Sequence, residues 1–221
     1  MAAPVGPTGC ERSSSGEGSD EVEHRFLVGA AYGLNEPALR FDGESDYDVV
    51  QHAIVASLGY RLSARTSLRL AAGTIFAGEM EGENRRYELG AGYTASLSGA
   101  HQWFGRSDEL PFLTTTLALG VSSVETREQP RGEEQRMTST DLRLGLLFGM
   151  TFAEVVSPYA VARAFGGPVK WRQNGRERSG SDRRHYALGL GASAALGRVE
   201  FLAETTLLGE KSVSVGFGFS L

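Results

Sequence analysis

The last ten residues, Ser212 to Leu221 (SVSVGFGFSL), alternate without a break. Val213, Val215, Phe217, Phe219 and Leu221 fall on one face, and Ser212, Ser214, Gly216, Gly218 and Ser220 on the other. A period of two is a strand, here with one greasy face and one small, polar face. No stretch of the chain reaches the roughly 18 consecutive apolar residues that a membrane helix needs, so a helical membrane protein is excluded. The 41% hydrophobic content and mean hydropathy of −0.21 resemble those of a soluble globule. They fit a membrane barrel equally well, because only alternate residues of its strands meet lipid.

The same alternation predicts nine further strands. The first runs from Phe26 to Leu34, the second from His52 to Leu62, the third from Leu68 to Phe76 and the fourth from Tyr87 to Leu97. Leu113 to Val121 gives the fifth, Leu142 to Phe152 the sixth, Tyr186 to Leu196 the eighth and Val199 to Leu207 the ninth. The seventh, Tyr159 to Phe165, leaves open which side faces lipid. Polar connections at Asn35 to Tyr47, Gly78 to Arg86, Glu125 to Met137 and Trp171 to Arg184 read as long loops, set against short turns such as Ser63 to Arg65. The Gly99 to Pro111 connection breaks that rule by its length. Ten strands put both termini on one side; eight remain the alternative if the seventh segment and a neighbour are not strands.

The second face separates a membrane barrel from a soluble one of the lipocalin type. It carries Gly59, Gly73, Gly92, Gly145, Gly189 and Gly191, which suit a crowded lumen and would make poor solvent-facing strand. Among these small residues sit isolated charges, Arg61, Arg69, Glu88, Asp141, Arg143, Glu200 and Glu204. Inside a narrow barrel they would pair into a polar core, whereas stranded singly they would be costly. Of 22 basic residues only Lys170 and Lys211 are lysine, and arginine, always charged and bidentate, is the better partner for buried carboxylates.

The terminal strand, with its Val213, Val215, Phe217, Phe219 and Leu221 face, resembles the closing strand of small bacterial outer-membrane β-barrels. The resemblance covers residues 24–221 and implies an all-β, antiparallel up-and-down transmembrane β-barrel in the outer membrane. It also implies that barrel-assembly machinery reads the closing strand, and that the partners are outer-membrane lipid, lipopolysaccharide and possible envelope proteins, with no nucleic acid. Residues 1–23, rich in Gly, Ser, Pro and acidic groups, read as a disordered periplasmic leader. An export signal is expected upstream in the full gene. The stretch containing Lys170, Arg172, Arg176, Arg178, Arg183 and Arg184 reads as a basic outer loop, able to meet lipopolysaccharide phosphates. The acidic Asn35 to Tyr47 segment could face it.

Signals for chemistry are weak. Gly189-Leu190-Gly191 and Gly216-Phe217-Gly218 lack the third glycine and the helix of a dinucleotide fingerprint. The histidines, His24, His52, His101 and His185, have no second ligand at metal spacing. Barrel enzymes carry His-x-Ser (the lipid A deacylases) or Asp-x-His (the omptin proteases). Here His185 precedes Tyr186-Ala187, and Asp182 lies three residues before it. The expectation is a non-enzymatic barrel with a filled polar lumen, without metal or cofactor, serving the envelope as a structural or interaction component. A narrow pore is the second reading, and a lipid-modifying or proteolytic barrel the third.

Overall fold

The structure, a computed structural model, describes residues 25–41, 46–82, 85–105, 111–129, 132–173 and 175–221. The leader expected at 1–23 lies outside them. The strands are β1 (Phe26–Glu36), β2 (Ala38–Phe41), β3 (Asp46–Ser63), β4 (Thr66–Glu81), β5 (Arg86–Phe104), β6 (Pro111–Glu128) and β7 (Glu134–Met150). They continue with β8 (Val156–Gly166), β9 (Pro168–Gln173), β10 (Arg176–Asp182), β11 (Tyr186–Leu196), β12 (Val199–Gly209) and β13 (Lys211–Ser220).

Ten of these close one barrel. Antiparallel pairing runs β1-β3-β4-β5-β6-β7-β8-β11-β12-β13 and returns to β1. The remaining three, β2, β9 and β10, close a second ring of eight on top of the first: β3-β4-β5-β6-β7-β9-β10-β2 and back to β3. β2 continues β1 beyond Pro37 along the same neighbour, β3. β9 continues β8 along β7 beyond Gly166-Gly167. A Cβ on Gly167 would lie 1.8 Å from the Thr140 carbonyl oxygen, so this continuation requires glycine. Only the β12–β13 hairpin stops, at Glu210, and above it β10 pairs with β2. The wall thereby narrows from ten strands to eight, and barrel width scales with strand number.

The two rings have opposite polarity. In the ten-stranded part Leu70, Leu97, Leu117, Leu144, Leu190 and Phe217 point outward, each more than half exposed. So continuous an apolar surface is unlike that of a soluble monomer, and it forms the lipid-facing belt. In the eight-stranded head the apolar residues turn inward. Leu39, Phe41, Tyr47, Val49, Met80, Tyr87, Leu89, Met137, Val169 and Trp171 form one buried cluster, while the charged residues between them face water.

Two mechanisms reverse the polarity. β7 keeps its parity and changes composition: Met137, Ser139, Asp141 and Arg143 are buried on the inner face, while the outer face passes from Arg136 to Leu142 and Leu144. β4 and β5 instead change parity together. β4 carries an extra residue against β3 between Ile75 and Ala77, and β5 one against β6 between Leu89 and Gly92. β4 and β5 stay in step with each other across these bulges, with Ile75 opposite Gly92 and Gly78 opposite Leu89. A one-residue bulge flips every later side chain to the other face.

Four expectations are corrected here. The segments read as outer loops contain strand: β2, the ends of β3 to β7, the end of β9 from Lys170, and β10. β5 extends to Phe104 and β6 starts at Pro111, so the long Gly99 to Pro111 connection is mostly strand. The sixth predicted strand ends at Met150, with Phe152 in an isolated bridge to Val156. Tyr87 and Leu89, expected to face lipid, are buried inside the head. In β8 the open question resolves, with Tyr159, Val161 and Phe165 buried inward.

Candidate functional site at the lumen and outer rim

The lumen of the ten-stranded part is filled by charge pairs and side chains that lock over glycine. Just below the step, Arg143 on β7 donates from Nε to Asp141 Oδ2 at 2.6 Å and from Nη2 to Glu210 Oε1 at 2.9 Å. Its guanidinium lies 4.7 Å from the Phe165 ring centroid. All three charged residues are over nine-tenths buried. Glu210 is the tip of the hairpin that stops, its carboxylate folded inward under the β2–β10 seam. A second group lies deeper, where Arg163 Nη2 and Tyr159 Oη both donate to Glu204 Oε2, at 2.9 and 3.2 Å. The Tyr159 ring covers Gly191, whose Cβ would come 2.4 Å from it. Phe112, Leu147, Tyr159 and Val161 form an apolar layer beside these pairs.

Towards the end of the barrel that holds the start of β1 and the end of β13, Arg69 and Glu200 line a cavity of about 30 Å³ together with Leu27, Val55, Ser57 and Leu202. That is room for about one or two water molecules. Arg61, Arg69 and Glu200 are each engaged with neighbours. Asp141, Arg143 and Glu204 are thus brought together in the lumen with Arg163, Tyr159 and Glu210, which sequence reasoning did not select. Arg163 sat on the strand of unresolved parity, and Glu210 looked like an ordinary turn residue. Glu88 does not belong with them. The β5 bulge turns it outward, where it is exposed opposite Arg127.

At the outer rim the basic segment is the β9–β10 hairpin and the connection after it, not a loop. Lys170 pairs with Glu177 at 3.0 Å. Arg172 lies directly opposite Arg136 on β7, and Arg176 and Arg178 are exposed on β10. Arg183 reaches Asp46 Oδ2 at 3.1 Å, so the basic and acidic segments do face each other, joined also by the β2–β10 ladder. Arg184 Nη1 donates to the Gly209 carbonyl at 2.8 Å. The described histidines are apart: His52 Nδ1 hydrogen-bonds Tyr32 Oη at 2.7 Å, His101 Nδ1 hydrogen-bonds Thr66 Oγ1 at 2.9 Å, and His185 is exposed at the rim.

Arg40 also holds Asp46, from Nε at 2.8 Å, and this hydrogen bond, aided by the charge of Arg183, keeps the Asp46 carboxyl below its ordinary range. A carboxyl lowered by folding stabilises the fold above its unfolded pKa, and that contribution is lost as pH falls through the folded value. Amide protection of β2 and β10, corrected for intrinsic rate, should therefore hold from about pH 7 to about pH 5 and decline only below about pH 4. Hydrogen exchange across that range checks it, and a decline already at pH 6 would contradict it.

No protein-family model and no curated protein sequence matches the chain. Its fold is similar to that of the outer membrane protease OmpT from Escherichia coli, with a TM-score of 0.57 at 10% identity, covering 89% of this chain and 97% of that one. It is similar also to the translocator domain of the autotransporter NalP from Neisseria meningitidis, with a TM-score of 0.50 at 14% identity, covering 89% and 88% of the two chains. The fold is that of an outer-membrane β-barrel. One neighbour is a protease and the other a translocator, so the shared architecture leaves the activity to be argued from the residues.

Proposed function

We propose that this chain is a closed outer-membrane barrel that presents a rigid extracellular head, a structural or interaction component of the cell envelope. The observation that carries this reading is the double seal. The ten-stranded lumen is crossed by the Arg143 and Arg163 ion pairs, and the ring of eight above it is packed with apolar side chains around Trp171. An eight-stranded ring is just wide enough for side chains to fill. Such a molecule offers surfaces rather than a path. The lipid belt faces outer-membrane lipid and lipopolysaccharide, the terminal Val213 to Leu221 face is read by assembly machinery, and the head meets other envelope proteins.

We take the barrel as non-enzymatic on its sequence, in which His185 fits neither the His-x-Ser nor the Asp-x-His pattern. The reading is tested in planar bilayers. Refolded protein should insert and stay electrically silent, at low and high salt alike. Discrete conductance steps that scale with salt would replace this proposal with the narrow pore.

A further inference from the structure

We infer that the step from ten strands to eight is a seat for the phosphate of an outer-leaflet lipid headgroup. Because only β12 and β13 stop there, the wall above them recedes to the β2–β10 seam, leaving a ledge at Gly209-Glu210-Lys211. Directly below the ledge the lipid belt ends in Leu207, Leu208 and Val213, exposed by 60%, 61% and 47%. Acyl chains packed on those residues place their headgroups on the ledge.

Cations converge there from the β12–β13 hairpin, the β10–β11 connection and β2. Lys211 is exposed, with Glu36 across the ladder. Arg184 spans from the β10–β11 connection to the Gly209 carbonyl, and its other N–H donors have no partner among the described residues. Arg183 and Arg40 share the single carboxylate of Asp46, and the Arg183 amide is tied to the Ala38 carbonyl at 2.7 Å. Among the described residues four cations, Arg40, Arg183, Arg184 and Lys211, thus meet three outward carboxylates, Glu36, Asp46 and Asp48, the last opposite Ala38, an excess of one positive charge. His185 is exposed on the same connection. Guanidinium groups bind phosphate through paired, charge-assisted hydrogen bonds. Here they stand where a lipid phosphate lies, on top of an apolar surface, which favours a lipid over a free anion. The inference depends on the chain lying in a membrane and is indifferent to whether the lumen conducts.

Native mass spectrometry of the refolded full chain in detergent tests it. The probes are a bisphosphorylated diglucosamine lipid and the same lipid stripped of phosphate. The phosphorylated form should be retained on the order of tenfold more tightly. The double variant Arg184→Gln/Lys211→Gln should lose most of that preference, and Lys170→Gln/Arg172→Gln should keep it. Heat-modifiable gel migration verifies folding; if the double variant does not fold, Lys211→Gln alone should still show a loss of about threefold. Equal retention of both lipids, indifference to the ledge substitutions, or displacement by inorganic phosphate would each overturn the assignment.

Discussion

Replacing Arg143 with alanine should cost about 3–5 kcal/mol of stability, read as a lower denaturant midpoint for the refolded barrel. The guanidinium neutralises two carboxylates at once, Asp141 and Glu210, which are 3% exposed. Their second oxygens, Asp141 Oδ1 and Glu210 Oε2, are buried without a hydrogen-bond partner. Removing the cation leaves negative charge in a closed space that it cannot leave. The charges are costly singly and tolerable together, so the triple variant Asp141→Asn/Arg143→Met/Glu210→Gln should recover most of the loss. A water-filled lumen predicts the reverse. Arg143→Ala would then leave the midpoint unchanged and create or enlarge a conductance, and that result would remove the basis for a sealed barrel.

The Arg143 group also shows what could and could not be read from the chain. Asp141 and Arg143 were legible because they interrupt an otherwise small inner face within the most regular strand. The membrane part was readable in nine of its ten strands, since lipid imposes an apolar outer face on each crossing. β8 was the exception, because Tyr159, Val161 and Phe165 point inward while Ala160, Ala162 and Ala164 lie on the other face, so that both faces read as apolar. The head was not. Above the membrane the outer face meets water, so the rule inverts, and segments such as Val169-Lys170-Trp171-Arg172-Gln173 look polar although every second residue is buried. Read for their charges, they pass as loops. Glu88 went astray for a related reason. Its strand alternates perfectly on either side of Gly90-Ala91, and nothing local marks the two-against-one count that the pairing with β6 reveals. Bulges of this kind are relations between strands, and a single strand's sequence does not contain them.

Trp171→Ala should open the head while leaving the membrane barrel closed. Trp171 is fully buried, with ring contacts to Phe41, Tyr47 and Tyr87 at centroid distances of 5.3, 5.6 and 4.9 Å. Its indole Nε1 donates to Thr126 Oγ1 at 3.0 Å. Truncating so large a core side chain costs about 3–5 kcal/mol, and here it also removes the indole's hydrogen bond, leaving the Thr126 hydroxyl only its long donation to the Gln135 carbonyl at 3.5 Å. The loss falls on the most weakly tied elements of the ring, since β2 and β10 share three register pairs and β9 and β7 four, whereas β6 and β7 share seventeen. Local opening follows the least cooperative unit. Added protease should therefore cut the variant within the β9–β10 hairpin, sparing the membrane strands, which should keep their heat-modifiable migration. Exchange protection lost evenly over head and barrel would show that the two rings fold as one cooperative body, and that the head is no separate platform.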